Sequence, residues 1–153
     1  MGKVVPAITD AWFEREGMNR EPQPWEDGAR VGTGPGFFEW WYFDAHMDDG
    51  TTVVAVVYSK PYANIGAPCS PQVKLQITDP EGRTHLHVDS LPAGAFSAAA
   101  DTCDVRAGNS TFQGDLARYT LHVEAGGNVA DLVFTREVPS WRPGVGKCYF
   151  GEA

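Results

Sequence analysis

The chain has 153 residues and a formal net charge of −8, with 42% hydrophobic and 12% aromatic residues. That length supports one domain with a real core, and that apolar content excludes a disordered chain. The acidity excludes recognition of a nucleic-acid backbone or an anionic membrane surface, both of which need clustered Lys and Arg.

Residues 1–36 are polar and broken by Pro22, Pro24, Pro35 and several glycines. They read as an irregular N-terminal arm, with a short helical turn over 11–16 after Thr9 or Asp10. Trp12, Phe13 and Trp25 are its expected packing anchors. No long apolar run follows Met1, so no secretory leader is expected. Pro6 stands where a myristoylation signal wants Ser or Thr. No segment is long and apolar enough to span a bilayer, and the cytoplasm is the expected compartment. Cys69, Cys103 and Cys148 are odd in number and widely spaced, which indicates neither a disulfide framework nor a zinc site.

From residue 37 to 153 the pattern is strand, turn, strand, and helical periodicity is missing. A first strand covers 37–47, and Asp48-Asp49-Gly50 carries the hairpin signal into a valine-rich strand over 51–59. The dozen residues 60–71 hold three prolines and read as a lid or a surface excursion. Gln72–Thr78 alternates Val73, Leu75 and Ile77 inward, and Asp79-Pro80-Glu81-Gly82 turns into a strand over 83–88. Shorter strands follow over 95–98, 103–107 and 111–113. Two more, over 117–124 and 129–136, flank the Ala125-Gly126-Gly127-Asn128 turn. Eight or more antiparallel strands with short connections predict an all-β domain. A closed barrel is the favoured architecture because closure removes exposed edges and leaves room for one small ligand. A sandwich is the alternative.

Residues 37–44 carry the chemistry, since six of the eight are aromatic and two are acids. Alternation places Phe37, Glu39, Trp41 and Phe43 on one face of the strand and Phe38, Trp40, Tyr42 and Asp44 on the other. Both faces are aromatic, so alternation alone does not say which one lines the interior.

Glu39-Trp40-Trp41-Tyr42-Phe43-Asp44-Ala45-His46 with its Asp-Asp-Gly turn resembles the signature of the hydroxyneurosporene synthase, or carotenoid 1,2-hydratase, family. The approach Val31-Gly32-Thr33-Gly34-Pro35 and the ending Pro139-Ser140-Trp141-Arg142-Pro143-Gly144 are also similar. The resemblance implies a lipocalin-like (calycin) β-barrel, the first of two in the family arrangement. It further implies an apolar isoprenoid, polyene or polyketide ligand, hydration or cyclisation of a carbon–carbon double bond, and no cofactor. A second lipocalin-like domain or a second copy of the chain is the macromolecular partner it implies.

Acid-assisted hydration needs a proton donor over an apolar substrate and aromatic faces beside the developing cation. Glu39 is the first candidate for that acid, because it shares a face with Trp41 and Phe43. The alternative is a structural carboxylate tied to a backbone N–H or an arginine. Trp41, Phe43, Trp40, Tyr42 and Tyr58 are the candidate ligand-binding residues. Asp44 and His46 read as structural. His85 and His87 share one face of a strand, where a polar face with Leu86 and Val88 inward is favoured over a zinc site. No Gly-x-Ser-x-Gly elbow is present. Gly32-Thr33-Gly34-Pro35-Gly36 leads into a strand rather than a helix, which excludes a phosphate cradle. The runner-up function is a non-catalytic carrier or an interaction module.

Overall fold

The computed structural model describes residues 3–150. In chain order the elements are β1 (Val4–Pro6), α1 (Asp10–Arg15), β2 (Trp40–His46), β3 (Thr52–Tyr58), β4 (Gln72–Thr78), β5 (Thr84–Ser90) and β6 (Phe96–Ala98). They continue with β7 (Cys103–Ala107), β8 (Ser110–Gly114), β9 (Arg118–Ala125), β10 (Asn128–Thr135) and β11 (Cys148–Phe150). The chain divides into two compact units, the larger covering Pro24–Thr135 and the smaller built from segments before and after it.

The smaller unit includes most of the segment expected to be an irregular arm. There β1 pairs antiparallel with β11, Val5 standing opposite Tyr149. Ala7, Phe13 and Val145 are buried together, with Trp12 and Met18 against them. The guanidinium groups of Arg20 and Arg142 lie over the Phe13 ring at 5.2 and 5.5 Å. Gly144 is required where it stands, because a Cβ there would fall 2.4 Å from the Ala7 carbonyl oxygen.

The larger unit is all-β. One sheet has four strands in the order β2-β3-β4-β5, and the other has five in the order β10-β9-β8-β7-β6. Each strand pairs with its sequence neighbour, antiparallel throughout. Such pairing follows from the turns. At the β9–β10 hairpin Gly126 and Gly127 take φ of 58° and 76°, the left-handed pair that a two-residue hairpin needs. At the β2–β3 hairpin Gly50 has φ of 90°, and Asp49 accepts the Thr51 N–H at 2.8 Å.

The two sheets share one apolar core. Trp41, Val53, Ala55, Val57, Val73 and Leu75 come from the four-stranded sheet; Cys103, Val105, Phe112, Leu121, Val123 and Leu132 come from the other. Period-two alternation accounts for most of these residues. Among the described residues the expected closed barrel is not found, since no ladder joins β2 to β10 or β5 to β6. Side chains occupy the β2–β10 seam instead of hydrogen bonds. Phe43 packs on Phe134 with ring centroids 5.5 Å apart. Beyond it a groove of about 490 Å³, lined by residues 44–47 and 131–134, lies between the two strand edges.

One alternation expectation is reversed. Leu86 and Val88 are 55% and 48% exposed, and His85 and His87 take the inner-face positions, opposite Ile77 and Leu75. β5 is the last strand of its sheet, so its inner face runs past the core. His87 meets Asn128 there, with Nε2 and Nδ2 3.0 Å apart. The 60–71 loop is tied down by Lys60, whose ammonium donates to the carbonyl oxygens of Gly34 and Ala67 at 2.8 and 2.5 Å.

Candidate functional site

β2 pairs with β3 in register, and Val53, Ala55 and Val57 on the inner face of β3 stand opposite Ala45, Phe43 and Trp41. That register turns the odd-numbered face of β2 inward. Trp41 is 8% exposed, whereas Trp40 and Tyr42 on the opposite face are each 52% exposed. Glu39 lies just before β2 and extends its pairing. Its N–H donates to Ser59 Oγ at 2.9 Å, and its carbonyl accepts the Ser59 N–H at 2.9 Å.

The segment 24–30 closes over this end of the core. Pro24–Asp27 forms a single turn of 3-10 helix. Gly28 then runs so close to the β6–β7 connection that a Cβ would lie 2.6 Å from the Ala100 carbonyl carbon and oxygen. The next residue, Ala29, donates its N–H to the Ala99 carbonyl at 2.6 Å. The side chain of Asp27 is thereby fixed between the sheets. Its Oδ2 accepts the hydroxyl of Tyr119 from β9, and its backbone carbonyl accepts the indole N–H of Trp41 from β2 at 2.8 Å. Asp27 therefore ties the two sheets together through one hydrogen bond to each.

A cavity of about 350 Å³ opens here, bounded by Asp27, Glu39, Trp41, Phe43, Cys103 and Tyr119. Glu26, Arg30, Trp40 and Tyr42 border it as well. Glu39 Oε1 accepts the Arg30 backbone N–H at 2.5 Å. The Arg30 guanidinium turns to Trp25, donating to its carbonyl at 2.8 Å and lying 4.7 Å over its ring. Phe43 contacts Tyr119 with ring centroids 5.1 Å apart. Burial pushes the Tyr119 hydroxyl well above the usual phenol range, and the Asp27 carboxylate adds to the effect by holding its proton. Burial, with Asp27 and Asp104 nearby, pushes the Cys103 thiol up to about 12, so it stays a neutral thiol.

Five of the six candidate residues from the sequence, Glu39, Trp40, Trp41, Tyr42 and Phe43, border this one cavity. Tyr58 does not. It stands opposite Trp40 on the other face of the sheet, and its even-numbered position sets it away from the core. Asp44 and His46 are exposed, with 3.9 Å between Oδ2 and Nε2. Among the other residues of the cavity, Asp27 and Tyr119 escaped the sequence reading, as did Glu26, Gly28 and Arg30. Alternation with Leu121 and Val123 marks Tyr119 as inward-facing, but nothing local to Asp27 marks it, because its partner is 92 residues away.

The side chains present suit hydrogen bonding and proton exchange with an organic molecule. Among the described residues no group of three or more His, Cys, Asp or Glu side chains is placed to hold a metal ion. No described helix is long and apolar enough to cross a membrane. Against known proteins, the chain matches no family model, no curated sequence and no solved structure.

Proposed function

We propose that this chain binds an apolar small molecule of isoprenoid, polyene or polyketide type in the cavity between its two sheets, and that a carboxylate there assists hydration or cyclisation of a carbon–carbon double bond. The observation that carries this reading is the cavity itself. It joins aromatic side chains from both sheets, Trp41 and Phe43 from one and Tyr119 from the other, with the carboxylates of Asp27 and Glu39. Apolar walls with a few placed polar groups are the usual make-up of a small-molecule site. The strand order supports a lipocalin-like relation, because sequential antiparallel pairing within both sheets is what an up-and-down barrel opened along its seams would retain.

The volume limits the ligand. At the roughly 30 Å³ that a water molecule occupies in the liquid, the cavity seats on the order of a dozen non-hydrogen atoms. A short isoprenoid fits whole, and a long polyene enters by one end. In the hydration step a carboxylic acid passes its proton to one alkene carbon and leaves a cation on the other. Water adds to that cation and returns a proton to the carboxylate. Glu39 Oε1 accepts the Arg30 N–H, which leaves Oε2 as the oxygen without a protein donor among the described residues.

Native mass spectrometry of the freshly purified protein tests the binding. A co-purifying apolar molecule is expected, and turnover of that molecule is expected to fall about 100-fold or more in Glu39→Gln, the usual weight of one general acid. Unchanged turnover removes Glu39 from the acid role. Tight binding with no product in the wild-type protein identifies a carrier instead.

A further inference from the structure

We infer that two copies of this chain associate through the outer face of the β2-β3-β4-β5 sheet, with Lys74 of each copy seated on the Tyr42 ring of the other. That face points away from the core and bears Trp40, Tyr42, Val54, Val56, Leu86 and Val88. Trp40, Tyr42, Leu86 and Val88 are exposed on it. Within the four strands its only formal charges, with histidine neutral, are Asp44 and Lys74. A chain of net charge −8 is thus neutral over one whole sheet face, where self-repulsion is least. The outer face of the other sheet differs. Arg118 and Glu124 on β9, Asp131 on β10, and Asp104 and Arg106 on β7 suit it to water. An apolar sheet face without such charges marks an interaction surface.

The face is complementary to itself. Tyr42, Val56 and Lys74 form one row across β2, β3 and β4, with the ring and the cation on either side of β3. Among the described residues the Lys74 ammonium has no hydrogen-bond or ion-pair partner. Sheets packed face to face keep their strands within about 30° of each other. A two-fold axis along β3 then lays β2 of one copy over β4 of the other. Each Lys74 meets a Tyr42 face, and the cation–π contact is made twice. A two-fold across the strands at the same row sets Lys74 against Lys74, so charge selects the first arrangement. Area sets the strength. Four strands of seven residues, about 4.8 Å apart and rising about 3.3 Å per residue, present on the order of 450 Å² per copy. Phe38, stacked on Trp40, and Tyr62, edge-on to Phe38 at 5.0 Å, extend it. The pair buries about 1,000 Å² in all, the low end for a specific interface, and a dissociation constant in the micromolar range is expected.

Sedimentation velocity of the whole chain from about 1 μM to about 0.5 mM tests this, with circular dichroism to confirm that each variant is folded. The wild type is expected to pass from monomer to dimer over that range. Lys74→Glu turns a carboxylate onto the ring, and Tyr42→Lys sets lysine against lysine. Each is expected to weaken the dimer about tenfold or more. The double variant Tyr42→Lys with Lys74→Glu sets lysine on glutamate at both contacts, and its affinity is expected to return to within about threefold of the wild type. Lys74→Glu serves alone if Tyr42→Lys unfolds. A monomer at every concentration overturns the assignment and leaves the face to a different protein or an oligosaccharide. A dimer of unchanged affinity in Lys74→Glu also overturns it, because the copies then meet elsewhere. Loss in both single variants without recovery in the double overturns the two-fold along β3.

Discussion

Lys60 is a fully buried lysine with no carboxylate partner among the described residues, and two backbone carbonyls hold its side-chain nitrogen. Burying a polar group is costly unless it is hydrogen-bonded, and these two bonds offset that cost while joining two irregular segments at Gly34 and Ala67. Lys60→Ala should lower stability by about 2–4 kcal/mol, read from urea unfolding, and Lys60→Met should lose less because it keeps the packing volume. His122 illustrates a different control. Its Nδ1 lies 2.7 Å from Asp131 and its Nε2 3.1 Å from Glu124, and these carboxylates raise its pKa above the ordinary histidine value. A raised pKa stabilises the fold fully below about pH 6.5, the unfolded value, and that contribution fades as pH climbs through the higher folded midpoint. Stability should therefore decline with rising pH across that window, and His122→Gln should flatten the decline. A His122 proton resonance titrating at or below its ordinary midpoint would contradict this account.

At the level of elements, β2 places two adjacent tryptophans in opposite environments. Trp41 reaches the core and Trp40 stacks on Phe38, with ring centroids 5.2 Å apart on the outer face. Trp41→Ala should cost about 3–5 kcal/mol, as buried aromatics do, and Trp40→Ala about 1 kcal/mol, the weight of a single exposed ring pair. Denaturant midpoints for the two variants check this directly, and equal losses would contradict the facing assigned to β2. The β8–β9 pair carries a related constraint. Gly114 stands opposite Tyr119, and a Cβ there would lie 2.1 Å from the tyrosine ring. Gly114→Ala must therefore shift Tyr119 or the backbone at Arg118, and it should weaken uptake of an apolar dye by the cavity as well as lower the melting temperature. The strands themselves were legible from local signals. Gln72–Thr78 and Cys103–Ala107 follow their predicted bounds, because alternation and turn residues act over a few positions. The reversal at β5 was not legible, since Leu86 and Val88 alternate as an inward face does and only the register with β4 turns them outward.

For the whole Pro24–Thr135 unit, the consequence of the open seam is measurable. Hydrogen-bond couplings in NMR should join β2 to β3 and β9 to β10 but not β2 to β10, and the outward amides of β10 should exchange faster than those paired with β9. Couplings across β2 and β10 would close the barrel and refute the two-sheet arrangement. Composition, alternation and turn chemistry are short-range properties, and they sufficed for an all-β chain, for its strands and for the aromatic stretch bordering the cavity. Three features depended on tertiary packing: the inward face of β2, the separation of β2 from β10 by Phe43 and Phe134, and the meeting of Asp27 with Tyr119. Each is settled by residues far apart in the chain, where no local periodicity records which surfaces will exclude water together.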